Sequence, residues 1–259
     1  MTPSRRGSPG VTAVIAAHDE AANIEACIAS VEWANEVIVV ENDSIDDTVD
    51  RARGAGATVI NPKFTTIGAA RNHAIERVKT PWVLVLDADE RCTPVLAAEI
   101  SRVVAEVGNC SAFRVPRRNF FLGREIRNGG WGNDRPIRLF RKELRYNARM
   151  VHEHVDVIGE TGVLRETLVH NPYTSLDQYF EKFDRYSRWW AEQNYAQGRR
   201  GSAVAALFSP PVKFVSMYVF KRGFLDGGHG LILACLAAAS VIAKHARLWE
   251  LSLRVGGGR

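Results

Sequence analysis

The chain is poor in cysteine, and its cysteines are not arranged for zinc binding or for a disulfide scaffold. Four are scattered among 259 residues with no C-x-x-C pair: Cys27, Cys92, Cys110 and Cys235. Structural zinc sites and small secreted scaffolds need closely spaced cysteines. The sequence therefore excludes these two classes and favours a protein of the reducing cytosol.

The sequence has no long uninterrupted apolar run, and we expect no signal peptide at its start. Residues 1–10 are basic and rich in proline, glycine and serine, and the apolar run 11–17 ends at a histidine and two acids. The longest apolar stretch, residues 230–243, is shorter than the ~20 residues that span a bilayer. We therefore expect a flexible N-terminal lead and, in the apolar stretch, a helix that is buried or lies in an interface.

The balance of charge is mildly basic. Lys and Arg total 34 against 29 Asp and Glu, which gives a formal net charge of +5, and 46% of the residues are hydrophobic. A chain of this length and composition can bury a substantial core. This charge is compatible with an anionic partner such as a sugar nucleotide, an anionic lipid or a nucleic acid. It does not distinguish between these three classes of partner.

Short apolar runs alternate with helical patterns in the first part of the chain. The runs predict strands at residues 11–17, 36–40, 57–60 and 82–86. Apolar residues at helical spacing predict helices at residues 20–31, 48–54, 67–79 and 94–107. This alternation indicates an α/β fold with a mostly parallel open sheet, whose ligands bind beyond the carboxyl ends of the strands.

The pattern changes after residue 107. Apolar runs at residues 112–115 and 136–140 predict antiparallel strands added to the sheet. Further along, the sequence predicts an aromatic-rich helix at 176–197 and a second helical block after Pro210-Pro211. We expect three parts, which are a lead at 1–10, an α/β domain at 11–174 and a helical region at 175–259.

Two carboxylates one residue apart, Asp87 and Asp89, follow the apolar run 82–86. They are predicted to lie at the mouth of a buried strand, where a divalent cation and a phosphorylated ligand can reach them. Asp-x-Asp by itself also fits a solvated turn. The acidic turns after the first two predicted strands, which end at the same edge of the sheet, favour a metal and nucleotide site.

Several of these segments together resemble a family 2 glycosyltransferase of the Rossmann-like GT-A fold. Four of them belong to the donor half: Val-Ile-Ala-Ala-His-Asp-Glu, Val-Ile-Val-Val-Glu-Asn-Asp-Ser, Gly-Ala-Ala-Arg-Asn and Leu-Asp-Ala-Asp-Glu. Two later ones resemble the lipopolysaccharide core glucosyltransferase branch: residues 129–141, Gly-Gly-Trp-Gly-Asn-Asp-Arg-Pro-Ile-Arg-Leu-Phe-Arg, and residues 150–153, Met-Val-His-Glu. The resemblance implies a GT-A sheet with an antiparallel acceptor-side extension and C-terminal helices.

The resemblance also implies a donor site with Mg²⁺ or Mn²⁺ as cofactor. It assigns the nucleoside pocket to four residues with Asp43 close by: Ala17, His18, Glu20 and Glu41. Arg71 and Asn72 are expected to face the nucleotide or its diphosphate, Asp87 the ribose or a metal-bound water, and Asp89 the metal. A carboxylate such as Glu41 can accept the N3–H of a uracil ring.

Inverting sugar transfer needs a general base beside the attacking hydroxyl. The resemblance favours Glu153, which follows the Arg-Leu-Phe-Arg strand at about the expected interval. Asp134 is the second candidate, because it lies in a Gly/Trp-rich turn suited to approach a sugar. His152 is a candidate to help hold the metal or the diphosphate, with an ordinary hydrogen-bonded histidine as the alternative.

The acceptor side offers further candidates. Trp131 is a candidate for stacking on an acceptor sugar. Arg135, Arg138 and Arg141 alternate with apolar residues, which predicts a strand face that presents guanidinium groups to phosphate. The basic stretch Arg114 to Arg127, which includes Arg117, Arg118, Arg124 and Arg127, is predicted to contact anionic lipid or glycan phosphate, or to be a solvated loop.

The resulting hypothesis is an inverting, metal-dependent hexosyltransferase. It uses a nucleotide-diphosphate sugar, UDP-glucose-like, and a hydroxyl of a cell-envelope glycan or lipid-linked acceptor. We expect a cytoplasmic protein without a nucleic-acid partner, and leave open a peripheral contact at the inner face of the cell membrane. Two alternatives are a nucleotidyltransferase, for which the first loop is acidic rather than basic and Gly-rich, and a non-enzymatic nucleic-acid or membrane-binding module.

Overall fold

The computed structural model describes residues 10–61, 63, 66–106, 108–147 and 153–256. For residues 254–256 it describes the backbone alone. The chain divides into two compact units. The first contains the chain up to Arg117 together with Asp134–His170, and the second contains Arg118–Asn133 and the chain from Asn171 onward. This division differs from the predicted one, because residues 118–133 group with the helical part of the chain and the boundary falls after His170.

Thirteen strands and seven α-helices make up the described chain. The strands are β1 (Val11–Ala17), β2 (Glu36–Glu41), β3 (Thr58–Ile60), β4 (Trp82–Asp87), β5 (Glu90–Cys92), β6 (Cys110–Arg114), β7 (Arg117–Phe121), β8 (Arg124–Ile126), β9 (Ile137–Arg141), β10 (Arg145–Tyr146), β11 (Val155–Asp156), β12 (Glu160–Val163) and β13 (Leu168–Tyr173). The helices are α1 (Ile24–Ala29), α2 (Thr48–Gly54), α3 (Ile67–Ile75), α4 (Pro94–Ala105), α5 (Leu176–Ala196), α6 (Ala203–Val215) and α7 (Gly227–Gly256).

The first unit is built on a seven-stranded sheet in the order β12-β6-β9-β4-β1-β2-β3. β1 pairs in parallel with β2 and β4, and β2 pairs in parallel with β3. β9 is antiparallel to both β4 and β6, as predicted for the acceptor-side extension. The expected fold class, a mostly parallel open α/β sheet with an antiparallel extension and C-terminal helices, is confirmed.

Apolar layers cover both faces of this sheet. Along β1, Ala13 and Ile15 pack into one buried cluster, and Val14 packs into the other. The alternation follows from the two-residue period of a strand. Because both faces are buried, β1 and β4 read in the sequence as continuous apolar runs rather than as alternating ones.

Two helices of the first unit begin at threonine caps. The Oγ1 of Thr66 accepts a hydrogen bond from the N–H of Ala69 at the start of α3, and Thr93 does the same for Leu96 in α4. Such caps satisfy N–H groups that the helix leaves open. α3 is shorter than predicted and ends at Ile75, because the N–H of Val78 turns back to the C=O of Ile75 before Pro81.

The second unit contains the hairpin β7–β8 and helices α5, α6 and α7. Its core includes Phe121, Tyr179 and Met217. The buried carboxylate of Asp226 accepts hydrogen bonds from the N–H groups of Arg127 (3.2 Å) and Asn128 (2.8 Å). These bonds tie the segment after β8 to the turn before α7.

The prediction that the second helical block begins after Pro210-Pro211 is wrong. Both prolines lie inside α6, which starts after Ser202 and continues as a π-helical turn, Ser216–Phe220. Proline disfavours a helix interior because it removes an N–H donor. Here the apolar segment packs against α7, and that packing decides the position of the helix.

Two segments of the second unit are long and apolar enough to cross a membrane, judged by length and composition alone: Ala203–Phe220 and Gly223–Leu253. The uninterrupted apolar run in the sequence, residues 230–243, is shorter than the second of these segments. The helix is longer than that run because α7 continues through charged positions such as Lys244 and Arg247.

Candidate active site

The carboxyl ends of three neighbouring strands come together in the first unit. In the register of the sheet, Ala17 at the end of β1 lies opposite Glu41 at the end of β2. On the other side of β1, Ala16 lies opposite Asp87 at the end of β4. The structure thus brings the predicted nucleoside residues and the first acid of the Asp-x-Asp pair to one edge of the sheet.

The loops that follow β1 and β2 are joined by hydrogen bonds. The N–H of Asp19 donates to Ser44 Oγ (3.0 Å), and the N–H of Ile45 donates to Asp19 Oδ1 (2.8 Å). Asp46 accepts from the N–H of Ala21 (3.0 Å) and from Thr48. Partial burial acts to raise the pKa of Asp46, and these hydrogen bonds outweigh it and lower that pKa.

Three more predicted nucleoside residues lie on these loops. His18 Nδ1 is 2.6 Å from the C=O of Asn42. Glu20 Oε2 accepts a hydrogen bond from the amide of Asn23 (2.7 Å). Asp43 is exposed and has a φ of 55°, a left-handed conformation that turns the chain sharply after β2.

Glu41 is buried and has one carboxylate oxygen without a partner. Its exposed fraction is 1%, and Oε1 accepts the N–H of Ser44. Oε2 has no hydrogen-bond partner within the described part of the chain. An unsatisfied buried acceptor is costly, so this oxygen is suited to accept an N–H from a bound ligand.

Asp87 is held between two buried arginines. Arg71 Nη2 donates to Oδ1 and Arg138 Nη2 donates to Oδ2. Burial acts to raise the pKa of Asp87, and the two guanidinium charges overcome it and hold that pKa well below its usual range. Asp87 is therefore ionised at neutral pH, with both oxygens engaged.

These contacts belong to a longer series of alternating charges, which we call the ion-pair chain. Its members, in order, are Glu153, Arg71, Asp87, Arg138, Glu90, Arg117 and Asp134. Arg71 Nη1 is 3.0 Å from Glu153 Oε1 at one end, and Arg117 Nε is 2.8 Å from Asp134 Oδ2 at the other. The two candidate general bases are therefore the two ends of one charged network.

Glu90 is the member of the ion-pair chain that the sequence did not single out, and Arg117 is a member whose predicted role was different. Glu90 is fully buried, and its Oε1 lies 2.7 Å from Arg138 Nη2 and 2.9 Å from Arg117 Nη1. Its Oε2 accepts the N–H of Asp87 (3.0 Å). The one available signal was a third acid directly after Asp89. Arg117, predicted to contact lipid or phosphate or to be solvated, instead pairs with acids inside the first unit.

Asp89, the predicted metal ligand, is buried beside a histidine that the sequence did not single out. His170 Nε2 lies 3.5 Å from Asp89 Oδ1. The two approach because His170 of β13 pairs in register with Glu90 of β5. The predicted histidine, His152, lies outside the described residues.

A carboxylate and an imidazole suit a divalent cation such as Mn²⁺. A cation that serves phosphate chemistry is held by one or two protein ligands, with substrate phosphates and water as the others. The described residues contain no group of three or more His, Cys, Asp or Glu side chains placed to hold a metal by themselves. The residues present therefore fit a metal that is bound together with a phosphorylated ligand.

Three predicted arginines do not share one face of β9. Arg138 is buried, whereas Arg135 is exposed and precedes the strand. Arg141 stacks on the ring of Trp82 at 4.1 Å. Positions three apart in a strand lie on opposite faces, so the predicted row of Arg138 and Arg141 is wrong.

Asn72 and Trp131 have structural contacts of their own. The side-chain amide of Asn72 donates to the C=O of Tyr146 (2.8 Å) and accepts from its N–H (2.8 Å), so it holds β10 in place. A nucleotide contact of Asn72 stays a prediction. Trp131 packs its ring against Phe121 and Tyr173 in the core of the second unit. An acceptor role for Trp131 stays a prediction.

Known proteins resemble this chain in sequence. The family model described as glycosyl transferase family 2 matches residues 12–168. LpsC of Rhizobium meliloti, a lipopolysaccharide core biosynthesis glycosyltransferase, is 27% identical over 252 residues, covering 91% of this chain and 93% of that protein. An uncharacterized glycosyltransferase of Rickettsia typhi is 27% identical over 257 residues, covering 94% of this chain and 88% of that protein.

Solved structures also match in part. Glucosyl-3-phosphoglycerate synthase from Mycobacterium tuberculosis, crystallised with Mn²⁺, uridine diphosphate and phosphoglyceric acid, is 23% identical. The match covers 42% of this chain and 43% of that one, with a TM-score of 0.37.

Proposed function

The chain belongs to glycosyl transferase family 2, and we propose that it transfers a hexose, with inversion, from a nucleotide-diphosphate sugar to a hydroxyl of a cell-envelope glycan or lipid-linked acceptor. The donor we propose is UDP-glucose-like. Membership of the family makes the chain an enzyme, so the non-enzymatic alternative is set aside. A cytoplasmic location with a peripheral membrane contact suits an acceptor assembled at the inner membrane face.

One observation carries the proposal: Arg71 contacts an acid that we assign to the donor side and the acid that we assign as the base. Its guanidinium binds Asp87, at the donor edge of the sheet, and Glu153, the first-choice base. These two acids are 66 positions apart in sequence (153 minus 87). A catalyst for group transfer has to hold donor and acceptor chemistry within contact distance of each other.

The donor pocket is assigned to the ends of β1 and β2. The free Oε2 of Glu41 accepts the N3–H of a uracil base, and the small side chain of Ala17 lets the base lie against the main chain. His18 and Asp43 border the same loops. Asp87, fixed and ionised by two arginines, accepts a ribose hydroxyl or a metal-bound water.

Asp89 and His170 are the residues that would hold Mg²⁺ or Mn²⁺. When bound, the cation supplies Lewis-acid stabilisation of the departing nucleoside diphosphate. Asp87 is the weaker candidate for a direct ligand, because both of its oxygens already accept guanidinium N–H groups. The two acids thus have different roles in the proposal. Asp89 binds the metal, and Asp87 contacts the nucleoside side of the donor.

The proposed general base is Glu153, with Asp134 as the competitor. Arg71 binds Oε1 of Glu153, and the described residues give Oε2 no hydrogen bond, so this second oxygen is available to take the proton of the acceptor hydroxyl. In Asp134, Arg117 binds Oδ2 in the same way. Both acids therefore keep one oxygen for an incoming hydroxyl, and activity measurements have to decide between them.

The test measures sugar transfer and donor hydrolysis by Glu153→Gln, Asp134→Asn and Asp89→Asn with UDP-, GDP- and ADP-sugars. The matched control is Asp50→Asn, an acid with an 87% exposed side chain. Loss of the proton acceptor lowers kcat by at least about a hundredfold with little change in donor KM. Full activity in Asp89→Asn removes the metal role, and full activity in both Glu153→Gln and Asp134→Asn removes the proposed mechanism.

A further inference from the structure

The second unit carries a helical segment whose exposed face is apolar. The segment consists of α6 and the π-helical turn that continues it, Ala203–Phe220. Its large exposed side chains, with their exposed fractions, are Val204 (64%), Leu207 (67%), Phe208 (65%), Val212 (68%), Val215 (39%), Val219 (50%) and Phe220 (80%). Most of them recur every three or four residues, so they form one stripe along the helix. We call it the apolar stripe.

This arrangement is the reverse of a helix in a water-soluble unit. Such a helix buries its apolar stripe and exposes charged residues. Here 11% of the segment is buried, and its one charged residue, Lys213, is half-buried. A continuous exposed apolar patch of this kind marks a docking surface.

The charged residues that flank the apolar stripe in sequence are all of one sign. Arg199 and Arg200 precede α6, and Lys221 and Arg222 follow the π-helical turn. Residues 198–225 contain five basic residues and no acidic one. Burial lowers the pKa of Lys213, and the charge of Lys221 lowers it further, so these two basic residues lie close enough to interact.

We propose that the apolar stripe docks on an anionic phospholipid bilayer, with the helix lying in the plane of the membrane. The apolar side chains enter the boundary between headgroups and acyl chains, and the basic pairs at both ends bind anionic headgroups. This inference rests on the peripheral membrane contact in the proposed function and identifies the surface that makes it.

Two features favour the in-plane orientation over a membrane-spanning one. Both ends of the segment are basic, and in the plane of the membrane both ends face the same anionic surface. In a spanning orientation, Lys213 would lie at bilayer depth, where a charge is costly.

The same charges disfavour a second copy of the chain as the occupant. An antiparallel pair of α6 helices would set Arg199 and Arg200 of one copy against Lys221 and Arg222 of the other, which repel. A bilayer containing phosphatidylglycerol offers the opposite charge instead.

The test is flotation of the full chain with vesicles of phosphatidylcholine alone or with about a third phosphatidylglycerol, at low and high salt. We expect binding to the anionic vesicles, weakened by salt. Leu207→Gln/Phe208→Gln lowers the partition coefficient at least about tenfold, because two large apolar side chains no longer enter the membrane. Lys221→Gln weakens binding to anionic vesicles and reduces its salt dependence.

The matched control is Val95→Gln/Ile158→Gln, which removes two exposed apolar side chains from the first unit and leaves binding unchanged. Val212→Gln repeats the test with a single exposed position, and circular dichroism confirms folding.

Equal loss of vesicle binding in the control variant overturns the proposal. So does a dimer, detected by sedimentation, that Leu207→Gln/Phe208→Gln dissociates. Resistance to alkaline carbonate extraction overturns the in-plane orientation. Vesicle binding is scored without sugar transfer, so its failure is distinguishable from failure of the proposed enzyme function.

Discussion

At the scale of the residue, the candidate site depends on charges that are buried and paired with one another. Asp87 bridges Arg71 and Arg138, and the fully buried Glu90 bridges Arg138 and Arg117. Removing one partner of a buried ion pair leaves an uncompensated charge, which costs more than the pair itself contributes. Each member of the ion-pair chain therefore holds the side chain of the next in position. The ion-pair chain as a whole positions the two candidate bases at its ends.

Asp87→Asn is expected to lower the free energy of unfolding by about 3 kcal/mol at neutral pH. Because the folded pKa of Asp87 is depressed, its contribution is present above its unfolded pKa of about 4 and is lost as the pH falls towards the folded value. Wild-type stability should therefore decline more steeply below about pH 4 than that of the variant. Urea unfolding between neutral and acid pH measures both effects.

A matched control is Glu106→Gln, which breaks an exposed pair with Arg102. Exposed pairs contribute ~0.5 kcal/mol or less, so this variant should unfold with nearly wild-type stability. If Asp87→Asn were no more destabilised than Glu106→Gln, the buried arginines of the ion-pair chain would not depend on Asp87 for their compensation.

His170→Ala is expected to reduce the affinity for Mn²⁺ about tenfold when UDP is present, because Asp89 loses the imidazole beside it. The readout is the Mn²⁺ concentration at which the melting temperature rises, since a ligand that binds the folded state stabilises it. His229→Ala, in the second unit, should behave as wild type. An unchanged Mn²⁺ midpoint in His170→Ala would assign the metal to Asp89 without the histidine.

At the scale of the element, a close backbone contact constrains the start of α7. Gly230, in the first turn of α7, approaches the carbonyl of Gly223 so closely that a Cβ atom built on it would lie 1.9 Å from that oxygen. Gly228, two residues earlier in the same helix, has no heavy atom within 4 Å of the corresponding position. Two glycines of one helix therefore serve different purposes.

Gly230→Ala is expected to destabilise the protein by about 2 kcal/mol or more, because the added methyl group has to displace backbone. Gly228→Ala is expected to be neutral or to stabilise by up to about 1 kcal/mol, because alanine favours the helix. Thermal unfolding of the two variants side by side provides the measurement. Equal stability of the two would mean that α7 shifts freely at its start.

At the scale of the whole molecule, the chain has two units with separate cores. The first has apolar layers on both faces of its sheet, and the second has an aromatic-rich core around Phe121 and Tyr179. Stability need not be uniform across a chain built in this way. A substitution in one core should therefore act mainly on the hydrogen bonds of its own unit.

Hydrogen exchange should localise these effects. Gly230→Ala is expected to accelerate amide exchange in α5 and α7 while leaving β1 and β4 protected. Asp87→Asn should do the reverse, because its partners are all in the first unit. Mass spectrometry of proteolytic peptides resolves the two units. Uniform acceleration across the chain in either variant would show that the units open together.

Much of the first unit could be predicted from local pattern. The apolar runs at β1 and β4 and the helix α2 were predicted with bounds within one residue of those observed. Strands buried on both faces produce a clear signal, and the acidic residues at their ends point to one edge of the sheet. The helices of the second unit were harder to predict from local pattern. Prolines usually end a helix and charged residues usually end an apolar run, but packing keeps both inside α6 and α7.

The sequence by itself determined the alternating α/β pattern, the acids at the strand ends and the family to which the chain belongs. The tertiary structure decided which charges meet: that Glu90 and Arg117 join the ion-pair chain, and that His170 and not a sequence neighbour approaches Asp89. The physical reason is distance along the chain. Spacing in sequence governs contacts within a helix or strand, whereas these partners meet only when distant strands pair in register.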